Sequence, residues 1–330
     1  MKLITLEEHF FNTAISAAAV KEIDRLAPSY REAYSGGRSH SPSFTQMTDL
    51  GEDRLANMDA NGIDMQILST GGPGIQLIRA NEAVPLAIDA NDQLAEAIKL
   101  NPTRFGGLAT LPTSNPEASA LELTRTITKL GFKGAVISGA TNDKLLDDKS
   151  FEPILEAANR LEVPIYLHPT IAVKAVRDAY YSGIDPIVDA RLASAAWGWH
   201  METGVHIIRM ILAGVFEKYP KLQMIIGHWG EMIPFYLARI DQSLPKEITH
   251  LPKSVSEYFL NHVYVTPSGM FTLPPFMCTL QVMGADRIMY SVDYPYIGNE
   301  GARAFLENAP ISPADQEKIA NGNVRKLLKL

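Results

Sequence analysis

The sequence predicts an α/β chain folded as a distorted (β/α)8 TIM barrel with a small inserted loop region, one domain spanning residues 1–330. Three observations predict it. Short β-prone runs alternate with helical stretches along the whole chain. Ionisable residues sit where several of those runs end, which is where a barrel gathers its chemistry. No G-x-G-x-x-G follows the first run, which argues against a doubly wound nucleotide-binding sheet.

The first predicted strand is Leu3–His9. A Ser/Gly-rich run, Ser35–Phe44, reads as an inserted loop, because helix-like sequence resumes near Gly51. Gly62–Thr70 is the second strand and ends in the turn Gly71-Gly72-Pro73-Gly74. A helix over about Asn81–Leu100 stops before Pro102, and Phe105–Pro112 forms the third strand. The next helix starts with Asn115 as N-cap and Pro116 at its first position, and stops at Gly131. Lys133–Gly139 is the fourth strand, Phe151–Leu161 a helix, and Val163–Pro169 the fifth strand. A long, partly helical region ends in the helix that begins near Met201. Leu222–Glu231, His262–Gly269 and Arg287–Pro295 are strands six to eight. The last helix takes Ser312 as N-cap, Pro313 at its first position and Gln316 as capping-box partner.

Composition narrows the function. The 330 residues are 46% hydrophobic and 20% charged, with a net charge of −7 and no basic cluster, so nucleic acid is not an expected partner. Cys278 is the only cysteine, which excludes an internal disulfide and fits a reducing, cytoplasmic setting. No apolar run is long enough to span a membrane, and the N-terminus lacks the apolar core of a secretory signal.

The predicted strand ends then share a pattern. Strand one ends in Glu7, Glu8 and His9, strand five in His168, strand six in His228 with Glu231 three residues on, and strand eight in Asp293. Imidazole nitrogens and carboxylate oxygens are what Zn²⁺ or Mn²⁺ takes. Side chains alternate along a strand, so Glu7 and His9 share a face and Glu8 points away. With Thr5, Glu7 and His9 directed into the barrel, Glu-x-His becomes a chelate at the rim, and Glu8 is expected to contribute little to metal. Taken singly, these residues have plainer readings. Glu-x-His suits a solvated strand edge, His168 a hydrogen-bonded loop, His228 and Glu231 a helix start, and Asp293 a turn. Their joint placement at strand ends favours a site.

Other residues carry weaker signals. Glu202 and His206 share a helix face but lack the second His of H-E-x-x-H. Trp197, Trp199 and His200 suit either core packing or a pocket lip, as Phe10, Tyr294 and Tyr296 suit a pocket wall. His40 and His250 are expected to be exposed, and His262 to be structural. Arg239 suits a surface pair with Asp241 or a carboxylate contact near the site.

Together, "LEEHF", "YLHP", "GVFEKYPKLQMIIGHWGEMIPFYLARID" and "MYSVDYP" resemble the amidohydrolase superfamily. They resemble most its decarboxylase branch, which includes γ-resorcylate, 2,3-dihydroxybenzoate and aminocarboxymuconate-semialdehyde decarboxylases. The resemblance runs from the first strand to "NGNVRKLL". It implies one divalent metal, Zn²⁺ or Mn²⁺, held by Glu7, His9, His168 and Asp293. It makes His228 the substrate- or proton-handling histidine with Glu231 as its partner, and Arg239 an organiser of that cluster. The first strand carries Glu-x-His where hydrolytic members carry His-x-His, the mark of the decarboxylase-like subgroup. No Lys ends strand four, so a carboxylated-lysine binuclear site is not expected. A homo-oligomer, dimer or tetramer, is implied as well.

The expected activity is non-oxidative decarboxylation of a hydroxylated aromatic acid, with Asp293 as the acid that protonates the ring carbon. Its rivals are metal-assisted hydrolysis of a lactone, ester or amide, and a catalytically silent barrel that binds or scaffolds.

Overall fold

The computed structural model describes residues 1–35, 42–72 and 74–330. Most of the Ser35–Phe44 run, including His40, and Pro73 of the glycine turn lie outside the described residues.

Among the described residues, eight short parallel strands fill seven positions of a distorted (β/α)8 barrel in chain order, and an extended segment fills the eighth. They are β1 (Ile4–Phe10), β2 (Met65–Thr70), β3 (Phe105–Gly107), β4 (Ala109–Thr110), β5 (Ala135–Ser138), β6 (Ile165–His168), β7 (Met224–Ile226) and β8 (Val263–Val265). β1 to β3 pair as one sheet and β4 to β8 as another. The expected third strand is therefore broken at Leu108, whose amide turns to Leu68 O at 2.9 Å. The expected eighth strand is an extended segment, joined to β8 by one bridge, Val265 to Ile288. Leu6 N to Tyr290 O (3.1 Å) and His9 N to Tyr294 O (2.6 Å) tie that segment to β1 and close the ring.

Each position around the ring sends an apolar side chain inward: Ile4 and Leu6, Ile67, Leu108, Val136, Tyr166, Ile225, Tyr264 and Met289 form one buried cluster. Val324 and Leu328 of the last helix join the same cluster. A larger buried shell packs the outer strand faces against the helices, with Leu68, Ile137, Leu167 and Ile226 among its members. Asn115 caps Pro116–Lys129 through the Ala118 amide, as expected. Ser312 caps Pro313–Glu317, but its partner is Asp315, the third helical residue; Gln316 instead donates to Leu306 O and Glu307 O. Among the described residues no helix is long and apolar enough to cross a membrane.

Candidate metal and substrate site

The inward cluster corrects the expected register of the first strand. Ile4 and Leu6 face the barrel interior, and Thr5 does not. Strict alternation from Leu6 would put Glu8 inside and turn Glu7 and His9 outward. A β-bulge prevents this. The pairing of β1 with β2 steps from Leu6–Ile67 to Glu8–Leu68, leaving Glu7 as an extra residue with φ of 74°. One inserted residue reverses the parity of all that follow. Glu7 and His9 therefore both reach the rim, and Glu8 turns to the outer side.

Four side chains converge there. Glu7 Oε2 accepts from Ser291 Oγ at 3.0 Å and Thr266 Oγ1 at 3.3 Å, and from Ser268 Oγ. Its Oε1 lies 3.7 Å from His168 Nε2. His9 Nδ1 meets Ser69 Oγ at 3.1 Å, and His168 Nδ1 donates to Pro169 O at 2.7 Å. These bonds leave both Nε2 atoms for the centre, the usual way a second partner fixes a ligand's tautomer. His9 Nε2 lies 3.2 Å from Asp293 Oδ1, and the two imidazoles meet edge to face at 4.8 Å. One donor atom from each of Glu7, His9, His168 and Asp293 falls within 4.8 Å of the others. Among the described residues, Glu7 Oε1, His9 Nε2 and Asp293 Oδ1 are buried and have no hydrogen-bond partner. Three orphaned polar atoms facing one another are costly unless something sits between them, and a divalent cation fits this two-imidazole, two-carboxylate set.

Burial dominates their protonation. It pulls His9 down to about 4 against the pull of Glu7, and His168 to about 3 with help from His9, so both stay neutral, as metal ligands must. Burial pushes Asp293 up to about 8.

Beside this group lies a second one. Glu231 is buried and bridges two histidines: Oε1 contacts His228 Nδ1 at 2.8 Å and Oε2 contacts His200 Nδ1 at 2.7 Å. Burial pulls His228 down, yet Glu231, Glu7 and Asp293 outweigh it and raise the imidazole to about 9. Burial pushes Glu231 up, but the two histidines hold it below the usual carboxylate range. His228 to Met232 all have positive φ, which turns the chain sharply after β7. Bonds from Trp229 N to Thr266 O (2.8 Å), Trp229 Nε1 to Met270 O (2.7 Å) and Thr279 Oγ1 to Trp229 O (2.8 Å) hold that turn.

Several expectations fail locally. Phe10 lies in the core behind β1, not in the pocket. Tyr294 is also turned outward, 4.9 Å beneath the guanidinium of the buried Arg54. The rings at the site are Tyr296, which was among the expected wall residues and lies 5.8 Å from His9, and Phe11, the neighbour of Phe10, 6.4 Å from Tyr296. Arg239 is exposed on the helix Ile233–Ser243, and no hydrogen bond or ion pair joins it to His228 or Glu231; Asp241, its expected surface partner, accepts from Ser256 instead. His206 accepts from the Leu146 amide at 2.6 Å, and His262 contacts Leu222 O at 2.9 Å, both structural roles. His200 is the residue that strand ends did not reveal. It enters from the first turn of the helix Gly198–Leu212.

The amidohydrolase family profile matches residues 17–330. The chain belongs to the amidohydrolase family. Among curated proteins, the γ-resorcylate decarboxylase of Polaromonas sp. is 37% identical over 303 residues, covering 87% of this chain and 89% of the relative. Decarboxylase orsB of Emericella nidulans is 33% identical, covering 99% and 97%. Among solved structures, a 5-carboxyvanillate decarboxylase from Novosphingobium aromaticivorans superposes with a TM-score of 0.90 at 35% identity, covering 100% and 96%; it holds manganese and 4-hydroxy-3-methoxy-5-nitrobenzoic acid. The amidohydrolase relatives named here are thus decarboxylases.

Proposed function

We propose that this amidohydrolase is a metal-dependent, non-oxidative decarboxylase of a hydroxylated benzoate, with Glu7, His9, His168 and Asp293 as ligands of one Mn²⁺ or Zn²⁺. The observation that carries the metal reading is the set of buried, unpartnered atoms Glu7 Oε1, His9 Nε2 and Asp293 Oδ1 at one point. The substrate class is supported by the relatives, which are named for γ-resorcylate and 5-carboxyvanillate.

When bound, the ion supplies Lewis acidity for a carboxylate and its ortho oxygen and offsets charge on the phenolate. The chain's own residues do the rest. His228, charged at neutral pH and tied through Nδ1 to Glu231, offers Nε2–H to an anionic substrate oxygen. His200 holds the other side of Glu231 and fixes its plane. Asp293, at the end of the closing segment and 3.2 Å from His9 Nε2, is the carboxyl group placed to pass a proton to the ring carbon that bears the carboxylate. That protonation interrupts aromaticity, and loss of CO₂ restores it.

Exposed apolar side chains on two neighbouring helices, Met201 and Val205 on one and Phe235 and Tyr236 on the other, support self-association into the expected oligomer. The single cysteine supports a cytoplasmic setting.

The test is to incubate Mn²⁺-loaded protein with a panel of 2-hydroxybenzoates and simple lactones. CO₂ release with formation of the matching phenol is expected. Lactone hydrolysis without CO₂ release overturns the decarboxylase reading.

A further inference from the structure

Two ligand-bearing segments meet where the barrel closes: β1 and the extended segment 288–294. Backbone bonds join them at Leu6 N to Tyr290 O and His9 N to Tyr294 O. Between those bonds both chains turn left-handed, at Glu7 (φ 74°) and at Asp293 (φ 71°). A regular parallel ladder continues with evenly spaced bonds, so carbonyls of β1 would receive the next amides of the neighbouring strand. The bulge removes those acceptors. Val292 N donates instead to Glu8 Oε1 at 2.9 Å, and Tyr294 N to Glu8 Oε2 at 3.0 Å. These two amides flank Asp293 on either side. Glu8 has no exposed surface. On the same outer side, the buried Arg54 donates Nη2 to His9 O at 2.6 Å and Nη1 to Gln66 Oε1 at 3.2 Å.

We infer that Glu8 is a positioning residue: its carboxylate replaces the two ladder acceptors lost at the bulge and so sets the separation between the Glu7/His9 pair and Asp293. The inference rests on the metal-centre reading above. A carboxylate suits the task because both oxygens accept. Glutamine keeps one acceptor and points an NH₂ group at the other amide. Aspartate is one methylene too short to span both amides from the same backbone position.

The experiment compares Mn²⁺ affinity, read from free Mn²⁺ by electron paramagnetic resonance, in the parent, Glu8→Gln, Glu8→Asp and Glu7→Gln. Groups that orient metal ligands from behind are worth about ten- to a hundredfold in affinity, so Glu8→Gln should weaken binding by that factor with near-UV circular dichroism retained. Glu8→Asp should fall between. A Glu8→Gln protein that melts earlier but binds Mn²⁺ as tightly as the parent overturns the inference, because a merely structural residue behaves that way. Glu7→Gln separates the two readings. If it binds Mn²⁺ normally, the metal centre itself is wrong; if it loses Mn²⁺ while Glu8→Gln does not, only the role of Glu8 fails. The parent protein gives an answer that needs no variant. Without metal, the amides of Val292 and Tyr294 should be protected from hydrogen exchange, and free exchange at either refutes a preformed clamp.

Discussion

Replacing Glu231 by Gln isolates the proposed proton-handling half of the site from the proposed metal-binding half. The carboxylate is buried, and each oxygen holds one histidine, at 2.8 Å and 2.7 Å. Burial alone would draw His228 below its ordinary 6.5; the surrounding carboxylates, Glu231 first among them, raise it to about 9. Moving an imidazole between those values is worth roughly 3 kcal/mol, at about 1.36 kcal/mol per tenfold. The carboxylates supply that in addition to overcoming burial. Glutamine keeps the shape and removes the charge, so burial should then win and His228 should titrate below 6.5. At pH 7.5 the imidazole would change from charged to neutral. Loss of a positioned acid–base group costs about 10²–10⁴-fold in rate, and kcat should fall within that range. Mn²⁺ stoichiometry should hold, because both Glu231 oxygens face histidines outside the four-ligand group. The assay pairs an NMR titration of His228 with the rate of CO₂ release. If His228 still titrates near 9 in Glu231→Gln, the charge assignment is wrong. If it becomes neutral and the rate is unchanged, the imidazolium has no part in the reaction.

Two further outcomes follow from particular contacts. A Cβ on Gly227 would press on Ser268 Oγ and stand 3.0 Å from Glu7 Oε1 and 3.2 Å from Tyr166 Oη, so Gly227→Ala should displace Glu7, release Mn²⁺ and cost about 1–3 kcal/mol of stability by overpacking; normal metal content by elemental analysis would contradict this. In chelator-treated protein, the folded pKa of His228 lies above its unfolded value. Its contribution to stability is therefore complete below about 6.5 and lost as pH rises through about 9. Denaturant midpoints should decline across that window and decline less in His228→Asn, and parallel profiles would refute the assignment.

The candidate site was legible in the sequence to the extent that chemistry follows strand ends. Glu7, His9, His168, His228, Glu231 and Asp293 were found because each terminates a β-prone run, and hydrophobic patterning locates such runs well. What alternation cannot show is a residue that leaves the pleat. Glu7 and His9 were paired on a register that also put Thr5 inside, whereas Ile4 and Leu6 occupy the interior and the bulge supplies the missing step. The same blindness put Phe10 at the pocket where Phe11 stands, since one residue of register moves a side chain to the opposite face, and it could not separate Tyr296, which reaches the site, from Tyr294, which does not. His200 was left open between core packing and a pocket lip, and not joined to Glu231, for another reason. It sits on a helix 31 residues before Glu231, and only the packed fold brings the two together. The resemblance placed Arg239 with the polar cluster, but the helix that carries it turns that side chain outward.

The bulge belongs to a wider pattern that explains how such a site is built. Glu7, His228, Trp229, Glu231, Met232, Ser268 and Asp293 all have positive φ, and all lie at the rim just where β1, β7, β8 and the closing segment end. For residues with a Cβ this conformation costs about 1–2 kcal/mol each, so a chain selected for stability alone would place glycine there or avoid the turn. Glycine is excluded where the side chain is itself a proposed ligand or proton carrier. The strain persists because buried contacts determine the backbone independently. Glu8 grips the amides around Asp293, Ser268 N donates to Ser291 Oγ at 2.8 Å, and Trp229 is bonded at its amide, indole and carbonyl. Strands that ran straight to their ends would leave their last side chains alternating between interior and exterior. The left-handed steps turn them toward one another instead, which brings four ligand atoms within 4.8 Å. The local cost and the function therefore have one origin, and a substitution that relaxes one of these turns should gain stability only by dispersing the site.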